Sequence, residues 1–331
     1  GLTIFGPGRA AAELEASKAY AKQFMREQGI PTGDFAVFRD YAPARDYLAQ
    51  QPGPVVIKAS GLAAGKGVIV CDSSQEAEAA LQQIMVEKAF GAAGAEVLIE
   101  ERLQGPEVSV LAFSDGHTVV PMIPARDHKR VYDGDQGPNT GGMGVYAPPP
   151  DVDQAFLAGI KRTVLEPVVA GMARQGTPYI GVLYAGLMLT SEGPTVLEFN
   201  CRFGDPETQV VLPMLKGNLA EILLACVEGR LDSQMVSWYK GACAAVVMGA
   251  PGYPGPYPKG MPITGLDALP EETMVFHAGT VAEQDQIITS GGRVLAVAAW
   301  GDDLPAAVDR AYQGVARIHF QGAHYRRDIG Q

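Results

Sequence analysis

The stretch Val196-Leu197-Glu198-Phe199-Asn200-Cys201-Arg202-Phe203-Gly204-Asp205-Pro206-Glu207 opens as an apolar strand, yet sets a carboxylate, an amide and a guanidinium at alternate positions. Strand side chains alternate between faces, so Glu198, Asn200 and Arg202 are expected on one face and Leu197, Phe199 and Cys201 on the buried one. A Glu–Asn oxygen pair suits a hard cation such as Mg²⁺, which keeps few protein ligands and completes its shell with phosphate and water oxygens. The Arg202 fork suits a carboxylate or a phosphate. A solvated edge strand would carry the same pattern. The choice turns on whether other segments bring an anionic ligand to this face.

Upstream, the β-rich runs Pro54-Val55-Val56-Ile57-Lys58-Ala59 and Val68-Ile69-Val70-Cys71 flank Ser60-Gly61-Leu62-Ala63-Ala64-Gly65-Lys66-Gly67. This is not a Walker A loop: three residues rather than four separate Gly61 from Gly65, Gly67 stands where a hydroxyl is needed, and a strand follows instead of a helix. Strand, glycine-rich tip and strand predict a hairpin flap whose amides fold over phosphates, with Lys58 and Lys66 neutralising charge. A flexible hairpin with solvated lysines is the alternative. Glu96 to Leu103 reads as a strand ending in the acids Glu100 and Glu101, with Glu107 after the Gly105-Pro106 turn. Those acids fit an adenine amino group and ribose hydroxyls, or a plain acidic surface. Arg126-Asp127-His128-Lys129-Arg130 is a compact charged cluster, followed by Gly137-Pro138-Asn139-Thr140-Gly141-Gly142-Met143-Gly144, a loop that lets a small ligand approach the main chain. A mobile surface loop would look similar. His128 and His277 are given no role.

The remaining chain sets bounds. At 331 residues, 47% hydrophobic and 19% charged, it has room for two or three domains with proper cores. A net charge of -11 without any Lys/Arg block argues against a nucleic-acid partner. Cys71, Cys201, Cys226 and Cys243 are scattered, as expected of reduced and mostly buried thiols. No apolar run reaches membrane-spanning length and the start does not resemble a secretory signal, so a soluble, cytoplasmic protein without a membrane partner is expected. Gly1 to Pro7 reads like the last strand and turn of a preceding segment. Helices are expected at Ala10 to Gln28, from Ser73 or Ser74 to about Phe90, at Asp151 to Arg174 with a kink at Pro167, within Glu207 to Glu228, and from Asp302 or Asp303 to about Ile318. A change of character near Leu231 to Gly241 marks a separate C-terminal α+β domain.

Taken together, Ile57-Lys58-Ala59 with Gly61 to Val68, Ile99-Glu100-Glu101 with Glu107, Asp127 to Arg130, Gly137 to Gly144 and Leu197 to Thr208 resemble the glycinamide ribonucleotide synthetases, also called phosphoribosylamine–glycine ligases, of the ATP-grasp superfamily. The resemblance runs over essentially the whole chain and implies a multidomain α/β and α+β protein. It implies a central ATP-grasp domain (1–30 and 99–235), a flap or lid (31–98) and a smaller C-terminal α+β domain (236–331). The family's N-terminal substrate domain has no counterpart here. The implied reaction joins glycine to 5-phosphoribosylamine at the expense of ATP, through glycyl phosphate and without a protein nucleophile. The family would assign Glu198 and Asn200 to Mg²⁺ or Mn²⁺, and Lys58, Lys66, Glu100, Glu101, Leu103 and Glu107 to ATP. It would assign Asp127, Lys129, Asn139, Gly141, Gly142, Met143, Arg202 and Asp205 to the glycine and phosphoribosylamine side, with Arg202, Lys66 and Asp205 nearest the chemistry. The strand Tyr184 to Met188 lacks the further acidic metal ligand of many ATP-grasp ligases. Another carboxylate–amine ligase, or a nucleotide-binding module without turnover, would share much of this pattern. The sequence leaves the oligomeric state open.

Overall fold

The computed structural model describes residues 2–51, 53–63 and 67–331. They form two compact units, Gly1–Pro121 with Gln154–Arg202 and Ala220–Ser233, and Met122–Asp153 with Phe203–Leu219 and Gln234–Gln331. The expected boundaries put 99–235 in one central domain. Instead Met122–Asp153 and Phe203–Leu219 group with the C-terminal residues, because Gly144–Ala147 pairs with both Ala242–Gly249 and Arg126–Asp127.

In the first unit, a four-stranded antiparallel sheet runs in the order Phe35–Phe38, Val97–Glu101, Val55–Ala59, Val68–Cys71. Val55, Ile57 and Ala59 alternate onto one face and are buried with Ala44, Leu48, Ala77, Leu81 and Ile84 of the covering helical segments. Lys58 therefore points to the opposite face. Register places Val56 opposite Glu100 and Lys58 opposite Leu98, so Lys58 and Glu100 are diagonal neighbours on that face.

A second four-stranded sheet has the order Gly193–Asn200, Ile180–Thr190, Glu107–Asp115, Val119–Pro121. Simple alternation fails once on its edge strand. Gly186 faces Glu198 but Leu187 faces Val196, so Leu197 is bulged out without a cross-strand partner. Val196 and Phe199 are buried whereas Leu197 is only half-buried, correcting the expected burial of Leu197. The expected helix over Ala10 to Gln28 also divides into Glu13–Ala16 and Lys18–Gln28. Ser17 is extended between them and its hydroxyl accepts the Tyr20 amide at 3.2 Å, a helix cap. The helix near Pro167 continues instead through a widened turn at Lys161–Leu165.

The second unit is built on a five-stranded antiparallel sheet in the order Thr273–His277, Arg293–Gly301, Ala242–Gly249, Gly144–Ala147, Arg126–Asp127. Val246, Met248, Leu295 and Val297 share a core with Ala311 and Val315 of the helix Leu304–Val315. Arg326 is 1% exposed and ties this unit's loops together. Its guanidinium meets Asp135 at 2.6 Å, Asp328 at 2.6 Å and the Arg130 carbonyl at 3.2 Å. All four cysteines are free thiols. Among the described residues, no helix is long and apolar enough to cross a membrane.

Two outcomes are expected. Buried Asp115 accepts the His117 amide at 2.9 Å, the Thr118 amide at 2.6 Å and the Leu231 amide at 3.1 Å. Asp115→Ala strands these donors and should cost about 2–4 kcal/mol of stability in urea unfolding, an unchanged midpoint being the contrary result. Hydrogen bonds from Arg326 hold Asp328 down at about 2, below its ordinary 3.8. A lowered carboxyl contributes stability above its unfolded pKa and loses it as pH falls through the folded one. Acid titration of unfolding should thus show a component between about pH 4 and pH 2 that vanishes in Asp328→Asn.

Candidate active site

Glu198 and Asn200 lie at the end of the bulged edge strand, with Phe199 buried between them. The bulge precedes both, so their alternation survives it. Glu198 faces Gly186, where an added Cβ would stand 3.6 Å from the Glu198 Cγ. No hydrogen bond or ion pair of the Glu198 carboxylate occurs among the described residues. Asn200 Oδ1 accepts from Arg202 Nη2 at 3.2 Å, and Arg202 Nε reaches Glu15 Oε1 at 3.1 Å. Glu15 also accepts the Cys201 amide through Oε2 at 2.7 Å, fixing the turn that follows the strand. Among the described residues no group of three or more His, Cys, Asp or Glu side chains forms a metal cage. A carboxylate and an amide oxygen remain, a donor set fitting a hard cation whose other ligands come from elsewhere. The Arg202 contact means a cation at Asn200 must share or displace that guanidinium.

On the sheet containing Val55–Ala59 and Val97–Glu101, Lys58 Nζ lies 2.8 Å from Glu100 Oε2, and Lys22 Nζ lies 2.8 Å from the same oxygen. Lys22 also donates to Thr32 Oγ1 at 2.8 Å, and Thr32 Oγ1 donates to the Val196 carbonyl at 2.9 Å. This chain of contacts joins helix Lys18–Gln28, the strands Val55–Ala59 and Val97–Glu101, and the strand Gly193–Asn200. Glu100 is 4% exposed, and burial by itself would raise its pKa, but Lys58 and Lys22 hold it below the ordinary carboxylate value. Burial lowers Lys22, which Glu100 opposes. Lys18, one helical turn before Lys22, is also lowered by burial, with Glu198 opposing and Lys58 reinforcing the shift. Two ammonium groups on one carboxylate leave one uncompensated positive charge. Glu100 Oε1 is buried with no hydrogen-bond partner among the described residues.

Of the Glu100 carboxylate, expected near the adenine, Oε2 is therefore committed to two lysines. Glu101 is exposed and its Oε2 accepts the Asp34 amide at 3.0 Å. Leu103 is half-buried over Gly33, and Glu107 starts the strand Glu107–Asp115 opposite Met188. Lys66 falls outside the described residues. At the end of the strand Val97–Glu101, a cavity of about 120 Å³ is lined by Tyr47, Val55, Ile99, Glu100 and Glu101 among others. A larger cleft of about 480 Å³ at Arg9, Glu13, Tyr20 and Gln175 holds none of the expected site residues.

In the second unit the glycine-rich loop, Asp127 and the Asp205-Pro206 turn come together. Gly142 has φ +114°, and a Cβ there would lie 2.5 Å from Pro206 Cδ and 2.6 Å from Asp127 Oδ1. Met143 is a correction: its side chain is fully buried, its amide donates to His128 O at 2.8 Å and its carbonyl accepts from Val247 at 3.0 Å. Neither side chain nor amide is left for a ligand. Asp205 is likewise engaged, with Oδ1 accepting from Gln209 at 3.0 Å and Oδ2 3.2 Å from Arg293. The Lys129 carbonyl accepts the Thr140 amide at 2.7 Å, closing the loop base, while Asn139 is exposed opposite Arg130. Sequence reasoning missed Lys18, Lys22 and Arg293. The first two had a signal, lysines four residues apart beside apolar helix positions; Arg293 had none.

Comparison with known proteins agrees with this architecture. Residues 16–208 match the ATP-grasp (A) domain of phosphoribosylglycinamide synthetase, and residues 243–331 match its C domain. The chain is 53% identical over 333 aligned positions to the human trifunctional purine biosynthetic protein adenosine-3, all of this chain matching 33% of that protein. It is 52% identical to a phosphoribosylamine–glycine ligase of Nostoc sp., covering 100% of this chain and 78% of the relative. It thus spans about a third of the multifunctional relative and most of the single-function one. The crystal structure of the Thermotoga maritima phosphoribosylamine–glycine ligase superposes with a TM-score of 0.90 at 38% identity, over 98% of this chain and 81% of that one. With both domain matches in chain order and an ATP-grasp fold, this chain belongs to the phosphoribosylglycinamide synthetase family.

Proposed function

We propose that the protein is an ATP-dependent ligase joining glycine to 5-phosphoribosylamine. The glycine carboxylate attacks the γ-phosphorus of ATP, the bond to the bridging oxygen breaks, and ADP leaves. The amine of phosphoribosylamine then attacks the acyl carbon of glycyl phosphate, expelling phosphate and losing a proton to give glycinamide ribonucleotide. The observation carrying this reading is the uncompensated charge of Lys58 and Lys22 on Glu100. A buried net positive charge is costly unless an anion arrives, and a nucleotide phosphate is such an anion.

Each residue then has a task. Lys58 and Lys18 face phosphate oxygens, Lys66 of the proposed flap (31–98) is assigned to the same phosphates by the family pattern, and Glu101 to Leu103 with Glu107 line the adenosine. Glu198 and Asn200 would hold Mg²⁺ or Mn²⁺, which when bound neutralises phosphate charge and polarises the phosphoryl group. Arg202 orients a carboxylate or phosphate of a substrate. Asp127, Lys129, Asn139, Gly141 and Gly142 are assigned to glycine and phosphoribosylamine. Asp205 acts by holding Arg293 and Gln209 in place. Rate enhancement comes from alignment and fixed charge. A soluble enzyme with small-molecule substrates and a cytoplasmic location completes the proposal.

The direct test is ADP release by the full-length protein, which should require both glycine and phosphoribosylamine. Release driven equally by formate or bicarbonate would point to another ligase, and ATP binding without release to an inactive module. Glu198→Ala should abolish metal-dependent turnover without moving the unfolding midpoint, and full activity would remove Glu198 from the site. Lys58→Met leaves a balanced Lys22–Glu100 pair, so ATP should bind at least about tenfold more weakly while the fold persists. Glu100→Gln leaves two buried ammonium groups unpaired and should cost about 3–5 kcal/mol of stability. Equal effects on stability from the two substitutions would contradict the charge assignment.

A further inference from the structure

The Gly141 peptide is held at both ends. Its amide donates to Tyr253 Oη at 3.1 Å and its carbonyl accepts from Arg293 Nη1 at 2.6 Å. The same guanidinium donates to the Asp205 carbonyl at 3.0 Å and pairs with Asp205 Oδ2 at 3.2 Å. A Cβ on Gly141 would fall 2.8 Å from Arg293 Cζ, so only glycine lets the arginine lie across the loop. The two anchors also support each other. A Cβ on Gly292, next to Arg293, would lie 2.3 Å from Tyr253 Cδ2, so the tyrosine ring rests on that backbone. Arg293 opens the strand Arg293–Gly301, where the ladder with Ala242–Gly249 is irregular, which aims its side chain off the sheet. One planar fork joining three oxygens from two loops fixes their separation as a flexible point charge cannot.

We propose that Arg293, backed by Tyr253, is a positioning residue. It sets the gap between the loop 137–144 and the Asp205-Pro206 turn, and that gap governs binding of the non-nucleotide substrates. The inference rests on the ligase reading above. It gives the C-terminal unit a function beyond covering its own sheet: it holds the substrate loop in shape.

The test compares Arg293→Met, Arg293→Lys and Tyr253→Phe with the parent in the full-length protein. Arg293→Met should raise the KM for glycine or for phosphoribosylamine about tenfold, change kcat less, and leave ATP affinity within about twofold, because uniform substrate binding is what it removes. Arg293→Lys should recover only part of the loss, and Tyr253→Phe should shift the same KM in the same direction by less. Unchanged KM values in folded Arg293→Met, or ATP affinity falling in step with them, overturn the proposal. If Arg293→Met does not fold, Tyr253→Phe decides, an unchanged KM for both substrates being the overturning result. Hydrogen exchange separates this from the ligase reading. Should the parent show no glycine-dependent turnover, the ligase reading falls. The positioning role then stands or falls on faster exchange of the Gly141 amide in Arg293→Lys and Tyr253→Phe.

Discussion

A carboxylate oxygen shared by two buried ammonium groups is the interaction on which the first unit of this protein depends. Glu100 Oε2 lies 2.8 Å from both Lys22 and Lys58. Burying one ion pair already costs desolvation energy, and adding a second cation worsens the balance. The fold sustains it because three elements are locked to one another there. Lys22 comes from a helix capped by Ser17, Lys58 and Glu100 from adjoining strands, and Thr32 passes the contact on to Val196 beside the bulge. Charge is thus stored there before any ligand arrives. The effect of Glu198 on Lys18 indicates that the two are electrostatically linked.

The second unit solves a different problem, keeping a glycine-rich loop in one shape. Glycine permits close approach but weakens conformational preference. Here the missing order is supplied by side chains: Tyr253 and Arg293 on Gly141, Thr140 back-bonding to Lys129, and Arg326 gathering Asp135, Asp328 and the Arg130 carbonyl. Gly142 is pressed between Asp127 and Pro206. Residues more than a hundred positions apart in the chain therefore meet at one loop.

Local patterns in the chain read well wherever one element sufficed. The hairpin Val55–Ala59 with Val68–Cys71, the final helix and the free cysteines are as expected, since alternation, capping and redox context are local or compositional. The failures all come from tertiary partners. Leu197 reads as a buried strand residue, but its register depends on where Gly186 sits across the ladder. Glu100 reads as an adenine or ribose contact or a plain surface acid, and nothing near it in sequence announces Lys22. Met143 reads as part of a binding loop, yet sheet pairing draws it into the core. Arg293 precedes an ordinary strand, and only the folded chain puts it against Gly141 and Asp205.

The titratable groups that could have carried covalent or proton-transfer catalysis point the same way as the charged ones. Burial pushes Cys71 and Cys201 up to about 11, and Cys226 and Cys243 up to about 12, so all four stay protonated near neutrality and are poor nucleophiles. His128 is lowered by burial, with Arg326 adding to the effect, which keeps it neutral in an interior position. Phosphoryl transfer followed by amine attack requires no such group, because both nucleophiles belong to the substrates. What it requires is anions held against fixed cations in the right order. A chain that buries Cys71, Cys226 and Cys243, half-buries Cys201 and His128, and brings two lysines to one carboxylate suits that second kind of work better than the first. On the proposed reading, an arriving phosphate would offset the cost of holding Lys22 and Lys58 together.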